Sequence, residues 1–240
     1  MNILTGDLEE TSQTKARELV ANLATTRATY ADFVGADNSD TLVCGIFNHL
    51  ELIEQFAKII RSLEASAKHN RTKMLAKALY RSETGRYFES GREVQMPGLT
   101  SDAVLFKEFV YAVSQETKIT IKACSKNRIE KECTSFLTKI EEHPAQRCVA
   151  IYALSIFFTD AILDHLKQSA KLLGLKTEDF DYFKKNEHLG KHAENMLTVL
   201  NLEMDERIEK TELLEIVDMT GELLLTVFGI PLTMSKATSG

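Results

Sequence analysis

The sequence predicts an all-α fold, a single domain built as a bundle of seven or eight helices. Three observations carry this expectation. Chain-breaking residues are scarce, with 3 Pro and 11 Gly in 240 residues, against averages of about 5% and 7%. A sandwich or barrel uses such residues for a turn about every 8–12 positions. Helical periodicity of the apolar positions dominates the chain. The few breakers fall almost entirely at joints between periodic segments. With 44% hydrophobic and 27% charged residues, there is enough material for a full core.

A first helix is expected from about Leu8 to Phe33, ended by the stretch Gly35 to Ser39. Ser39 or Asp40 can cap a second, to about Lys68, with Leu42, Ile46, Leu50, Ile53, Phe56 and Ile60 at helical spacing. A third runs from about Arg71 to Phe88, followed by the clearest loop, Ser90 to Gly98. Thr100-Ser101-Asp102 reads as the start of a helix carrying Leu105, Phe109 and Ala112 on one face. Lys118 to Ala123 alternate as a short strand would, but are read as a joint between helices. A charged helix from about Ser125 to Glu142 follows. Pro144 suits the first turn of the next, about Ala145 to Leu173. That helix is apolar all round near Tyr152 to Phe158, which places it at the centre of the fold. Gly174 ends it, and Thr177-Glu178-Asp179 offers an N-cap with acids in the first turn of a helix reaching about Leu202. The last helix runs from about Thr211 to Val227. The domain is taken as residues 1–232 and the remainder, 233–240, as a loose tail.

Charge and cysteine content narrow the function. The net charge is −6 with no basic stripe, so nucleic acid is not an expected partner. The longest nearly apolar run, Cys148 to Phe158, is too short for a membrane span, and the N-terminus lacks a signal-peptide pattern. Cys44, Cys124, Cys133 and Cys148 show no metal-type spacing. They read as reduced thiols in a cytoplasmic protein. No GxSxG, GxxxxGK[ST] or GxGxxG motif occurs.

The strongest local feature is His188 and His192, four residues apart and so on one helix face, with Asp181 seven residues before His188. Leu189, Met196 and Val199 share that side, which predicts an inward face. Two imidazoles and a carboxylate suit iron, manganese or zinc; the alternative is a pair of hydrogen-bonded core or surface histidines. Further ligands would come from other helices. Glu83 is one, with a solvated carboxylate near a helix end as its bland reading. Asp102 is another, with a first-turn helix acid as its bland reading. His49 with Glu51 and Glu54, and Asp160 with His165, are looser groupings. Cys148, with Tyr152 one turn later, is the single nucleophile considered, and such a cysteine is usually packing.

The run Thr177 to Phe183 followed by His188 and His192-Ala193-Glu194 resembles a late helix of the haem-oxygenase-like superfamily. Leu79 to Gly85 resembles that family's acidic stretch ending in Gly, and Phe106 to Ala112 the helix after it. The likeness is to the branch of the Chlamydia protein associating with death domains (CADD-like proteins), the haem-oxygenase-like di-iron oxidases, TenA and PqqC. It implies a helical bundle, often dimeric, and, in the di-iron members, an iron centre. Matched by position, Glu83 stands at the first ligand and Asp102 near the second, where His is usual. Leu154 or Ser155 stands where the central-helix Glu would be. His192 fits the late helix, and His188 is displaced by about one residue. The resemblance thus implies an oxygen-activating oxidoreductase acting on a small organic substrate. Its iron, mono- or di-nuclear, would be held by Glu83, Asp102, His188 and His192, with Asp181 as an additional ligand. The missing central Glu supports a second expectation, a metal-free CADD-like binding or interaction protein. A third is TenA-type thiaminase hydrolysis with Cys148 as nucleophile.

Overall fold

The computed structural model describes residues 39–119, 126–140, 143–158, 162–187, 195–196, 198–200, 202–204, 208 and 210–227. The predicted first helix, His188, Gly190, His192 and the C-terminal tail lie outside the described residues.

The fold is all-α. Helices α1 (Ser39–Ser66), α2 (Asn70–Thr84), α3 (Asp102–Thr117), α4 (Lys126–Ile140), α5 (Pro144–Phe157), α6 (Leu163–Leu172), α7 (Asp181–Asn186) and α8 (Lys210–Val227) follow one another in the chain. A two-stranded antiparallel hairpin, β1 (Arg86–Glu89) and β2 (Arg92–Gln95), interrupts the series after α2. No helix among the described residues is long and apolar enough to cross a membrane.

The core forms because α5 is apolar all round. Cys148, Val149, Ala150, Ile151, Tyr152, Ala153 and Leu154 are all buried. α1 and α8 pack against α5 and seal it. α1 also packs on α2 and α3 through a stripe that includes Ile46, Ile59, Ile60 and Leu63. α7 lies on α3, with Phe183 edge-on to Phe109 at 5.1 Å.

Several helix ends form as their residues dictate. Ser101 Oγ accepts from the Val104 amide at 3.2 Å and caps α3. Pro144 opens α5, where its missing N–H costs nothing. His143 caps the same helix: its Nδ1 accepts from the Ala145 amide at 3.2 Å, and Gln146 Oε1 accepts from the His143 amide at 3.1 Å.

Several expectations are corrected. α2 stops at Thr84 instead of reaching Phe88, because Gly85 turns the chain with φ +65°. A Cβ at Gly85 would stand 2.7 Å from the Leu99 carbonyl oxygen, so the position has room only for glycine. The expected loop is instead a hairpin, with Ser90 (φ 50°) and Gly91 (φ 80°) at its turn. Two positive φ values in a row match the twist of the flanking strands. Phe88 anchors the hairpin under the Arg61 guanidinium, 3.1 Å from the ring centre, and the Tyr80 hydroxyl donates to Glu93 at 2.6 Å.

Of the single helix expected from Ala145 to Leu173, α5 covers residues to Phe157 and α6 those from Leu163, and Phe158 and Ile162 beside them keep helical, π-type backbone; residues 159–161 lie outside the described residues. Thr177 starts a 3₁₀ turn that ends at the extended Phe180, so the late helix begins at Asp181. Cys44 is disulfide-bonded, against the expectation of four reduced thiols; Cys133 and Cys148 are free and buried.

Candidate functional site

The hairpin returns the chain so that Glu83, in the last turn of α2, meets Asp102, the first residue of α3. Both are buried, with relative exposures of 7% and 2%. Both carboxyl groups line one cavity. Burial, then the neighbouring Asp102 charge, pushes the Glu83 carboxyl well above the usual range, while Lys185 opposes the shift. Its neutral form is therefore favoured.

Three residues of the six-residue helix α7 complete the arrangement. Lys185 Nζ forms an ion pair with Asp102 Oδ1. Asn186 Nδ2 donates to Asp102 Oδ2 at 2.8 Å and to the Tyr182 carbonyl at 3.0 Å. The Tyr182 hydroxyl and His49 Nε2, from α1, share a hydrogen bond of 2.9 Å. Positions 182, 185 and 186 fall on one helix face. Burial, with the His165 charge as a second cause, lowers His49 to about 3. Its ring stacks on Phe158 at 5.4 Å and meets Phe106 edge-on at 5.0 Å. Burial, then the charges of Asp102 and Glu83, raises Tyr182 well above its ordinary value. Both rings thus stay neutral at physiological pH.

These groups open onto a cavity of about 40 Å³. Glu83, Asp102, His49 and Asn186 form its polar end, and Leu52, Phe56 and Leu224 are part of its apolar wall. That volume holds about two or three waters. An organic molecule would enter only as the walls move. Leu154 and Ser155, the positions matched to the missing central-helix Glu, line the same cavity.

The structure places the sequence-derived residues unevenly. Glu83 and Asp102 come together: the solvated reading of Glu83 is corrected, since it is buried, while Asp102 is the first-turn acid of α3 that its bland reading describes, here also buried. His188 and His192 lie outside the described residues. The inward orientation expected of Asp181 is corrected, since its side chain is 74% exposed and paired with Lys184 at 3.2 Å. The extended Phe180 resets the helix start and turns Asp181 outward. Cys148 is 1% exposed in the middle of α5. Burial, then the Glu203 charge, raises its thiol, the reverse of an activated nucleophile. His49 faces the cavity without its neighbours: Glu51 accepts from Gln55 at 2.6 Å and Glu54 pairs with Lys107 at 3.5 Å. Sequence reasoning passed over Tyr182, Lys185 and Asn186, although their one-face spacing was readable within the segment it singled out.

Among the described residues no three His, Cys, Asp or Glu side chains gather as a metal site. Glu83 and Asp102 alone fit as two adjacent hard oxygen donors of the kind iron and manganese accept. No known protein-family model matches the chain, and no curated protein matches it.

Proposed function

We propose that this chain is a metal-dependent, oxygen-activating oxidoreductase of the haem-oxygenase-like kind, acting on a small organic substrate. The observation that carries the reading is the meeting of Glu83 and Asp102, two acids far apart in the chain, buried side by side on a cavity wall. A shifted carboxyl beside a specific charge partner in a cavity is a functional-site pattern. Glu83 and Asp102 would hold iron together with His188 and His192. When bound, iron supplies oxygen activation. The residues of the chain do the rest. Asn186 orients the Asp102 carboxylate. The Glu83 carboxyl releases its proton when a cation takes that oxygen. Leu52, Phe56, Leu154 and Leu224 supply the apolar wall beside the polar groups. A cytoplasmic homodimer belongs to the same reading, and light scattering with thiol titration under non-reducing conditions checks both parts.

A second reading is a metal-free binding or interaction protein that kept the fold. Two observations favour it: Lys185 already neutralises Asp102, and Leu154 and Ser155 supply no carboxylate. Metal analysis after anaerobic reconstitution with Fe(II) separates the two. The first predicts near-stoichiometric iron that falls away in Glu83→Gln and His192→Ala. Less than about a tenth of an equivalent in the wild-type chain would leave only the second.

A further inference from the structure

One ammonium group holds both the acidic pair and the base of the hairpin. Lys185 Nζ donates to the Ser82 carbonyl at 2.5 Å and to the Thr100 carbonyl at 3.1 Å, besides its ion pair with Asp102 Oδ1. Ser82 directly precedes Glu83, and Thr100 lies two residues before Asp102. The two carbonyls thus flank the segment 85–99 that carries β1 and β2. Two of the ammonium protons go to these carbonyls, and its charge faces Asp102 Oδ1. The hairpin is closed at the same point by the Met96 amide, which donates to the Gly85 carbonyl at 2.8 Å, and by Gln95 Nε2, which donates to the Leu99 carbonyl at 2.8 Å.

The Lys185 ammonium stands on the carboxylate oxygen that a cation bound between Glu83 and Asp102 would need. Two positive charges cannot share that oxygen, because like charges a few ångströms apart repel strongly in a partly buried setting. Asn186 holds the other Asp102 oxygen and does not compete. The Lys185 side chain keeps 24% exposure, and its flexible stem can carry the ammonium to water.

We propose that Lys185 is an internal cation which a divalent metal must displace from Asp102, and that its displacement unpins the base of the hairpin. The inference rests on the metal reading above and adds its regulation: loading the site and loosening the flap beside it become one event. Lys185 is a positioning residue here, acting on metal affinity and on the hairpin.

Equilibrium dialysis of the full chain with Mn(II) tests it. Lys185→Met keeps the stem and removes the charge, and should bind Mn(II) at least tenfold more tightly than wild type. Lys185→Arg keeps the charge and should not gain affinity. Hydrogen exchange of amides 86–95 supplies the second readout. Mn(II) should speed that exchange in the wild type, and Lys185→Met should show the faster exchange without metal. Equal or weaker Mn(II) affinity in Lys185→Met overturns the displacement, as does wild-type hairpin exchange unmoved by bound Mn(II). Should Lys185→Met not fold, that wild-type exchange with and without Mn(II) decides alone. Absence of Mn(II) binding in both wild type and Lys185→Met overturns the metal reading and this inference together.

Discussion

Two buried glutamates show what separates a structural carboxylate from a chemical one in this fold. Glu203 is fully buried and accepts hydrogen bonds from the Lys68 and His69 amides, at 2.9 and 3.1 Å, just ahead of α2. Burial pushes its carboxyl up, but the Thr72 hydroxyl beside it and these two amides outweigh burial and hold it below the usual range. It stays ionised at a helix N-terminus, where the backbone dipole favours a negative charge. Glu83, at the other end of the same helix, is given another acid as its partner, and its carboxyl moves the opposite way. A group that serves only stability is surrounded by donors. The Glu83–Asp102 pair sits on a cavity instead, with Lys185 paired to Asp102.

The largest expected effect follows from removing the satisfied partner. Glu203→Ala leaves two part-buried amides without their charged acceptor and should lower unfolding free energy by about 2–4 kcal/mol in urea titrations. A loss under about 1 kcal/mol would mean that the two glutamates differ less than their surroundings indicate.

Gly85→Ala comes next, because the hairpin return is what brings Glu83 to Asp102. The left-handed backbone and the Leu99 carbonyl 2.7 Å from the new Cβ should together cost about 1–3 kcal/mol. Near-UV circular dichroism should register the disturbed hairpin aromatics. An unchanged melting curve would remove the close approach from the account.

The pH dependence sharpens the contrast. His49 is neutral in the fold down to about 3 but protonates near about 6.5 when unfolded, so stability is lost as pH falls through that window. Glu203, with its lowered carboxyl, adds to the same acid-side loss. Glu83 acts oppositely: its raised carboxyl makes stability fall as pH rises above the usual glutamate range. Glu83→Gln should therefore flatten the neutral-side slope of urea midpoints and leave the acid side intact. An unchanged neutral-side slope would contradict the raised Glu83 carboxyl. The smallest effect is on stability itself, where Glu83→Gln near pH 6 should stay within about 1 kcal/mol of wild type.

The helices were readable where one local rule decides them. Ser101 ahead of Asp102, Pro144 after His143 and the periodic run Thr211 to Val227 all became element ends or bodies close to where the pattern put them. The hairpin was not readable in that way. Arg86 to Gln95 offers only four-residue strands, and its anchor is Arg61 on a different helix. In the site, Glu83 and Asp102 were legible by resemblance, but their burial was not, because it depends on that hairpin. Lys185 looked like any surface lysine, since its three acceptors come from positions 82, 100 and 102.

The central claim is that the Glu83–Asp102 pair, and not the buried acid at the other end of α2, receives a cation. Thermal melts with and without Mn(II) under matched conditions test it most directly, on wild type, Glu83→Gln and Glu203→Gln. A metal that binds only the folded state raises Tm in proportion to its occupancy. The account predicts a clear Mn(II)-dependent rise in wild type and in Glu203→Gln, from a lower starting point in the latter, and none in Glu83→Gln. A rise that survives in Glu83→Gln, or is missing from the wild-type chain, would contradict it.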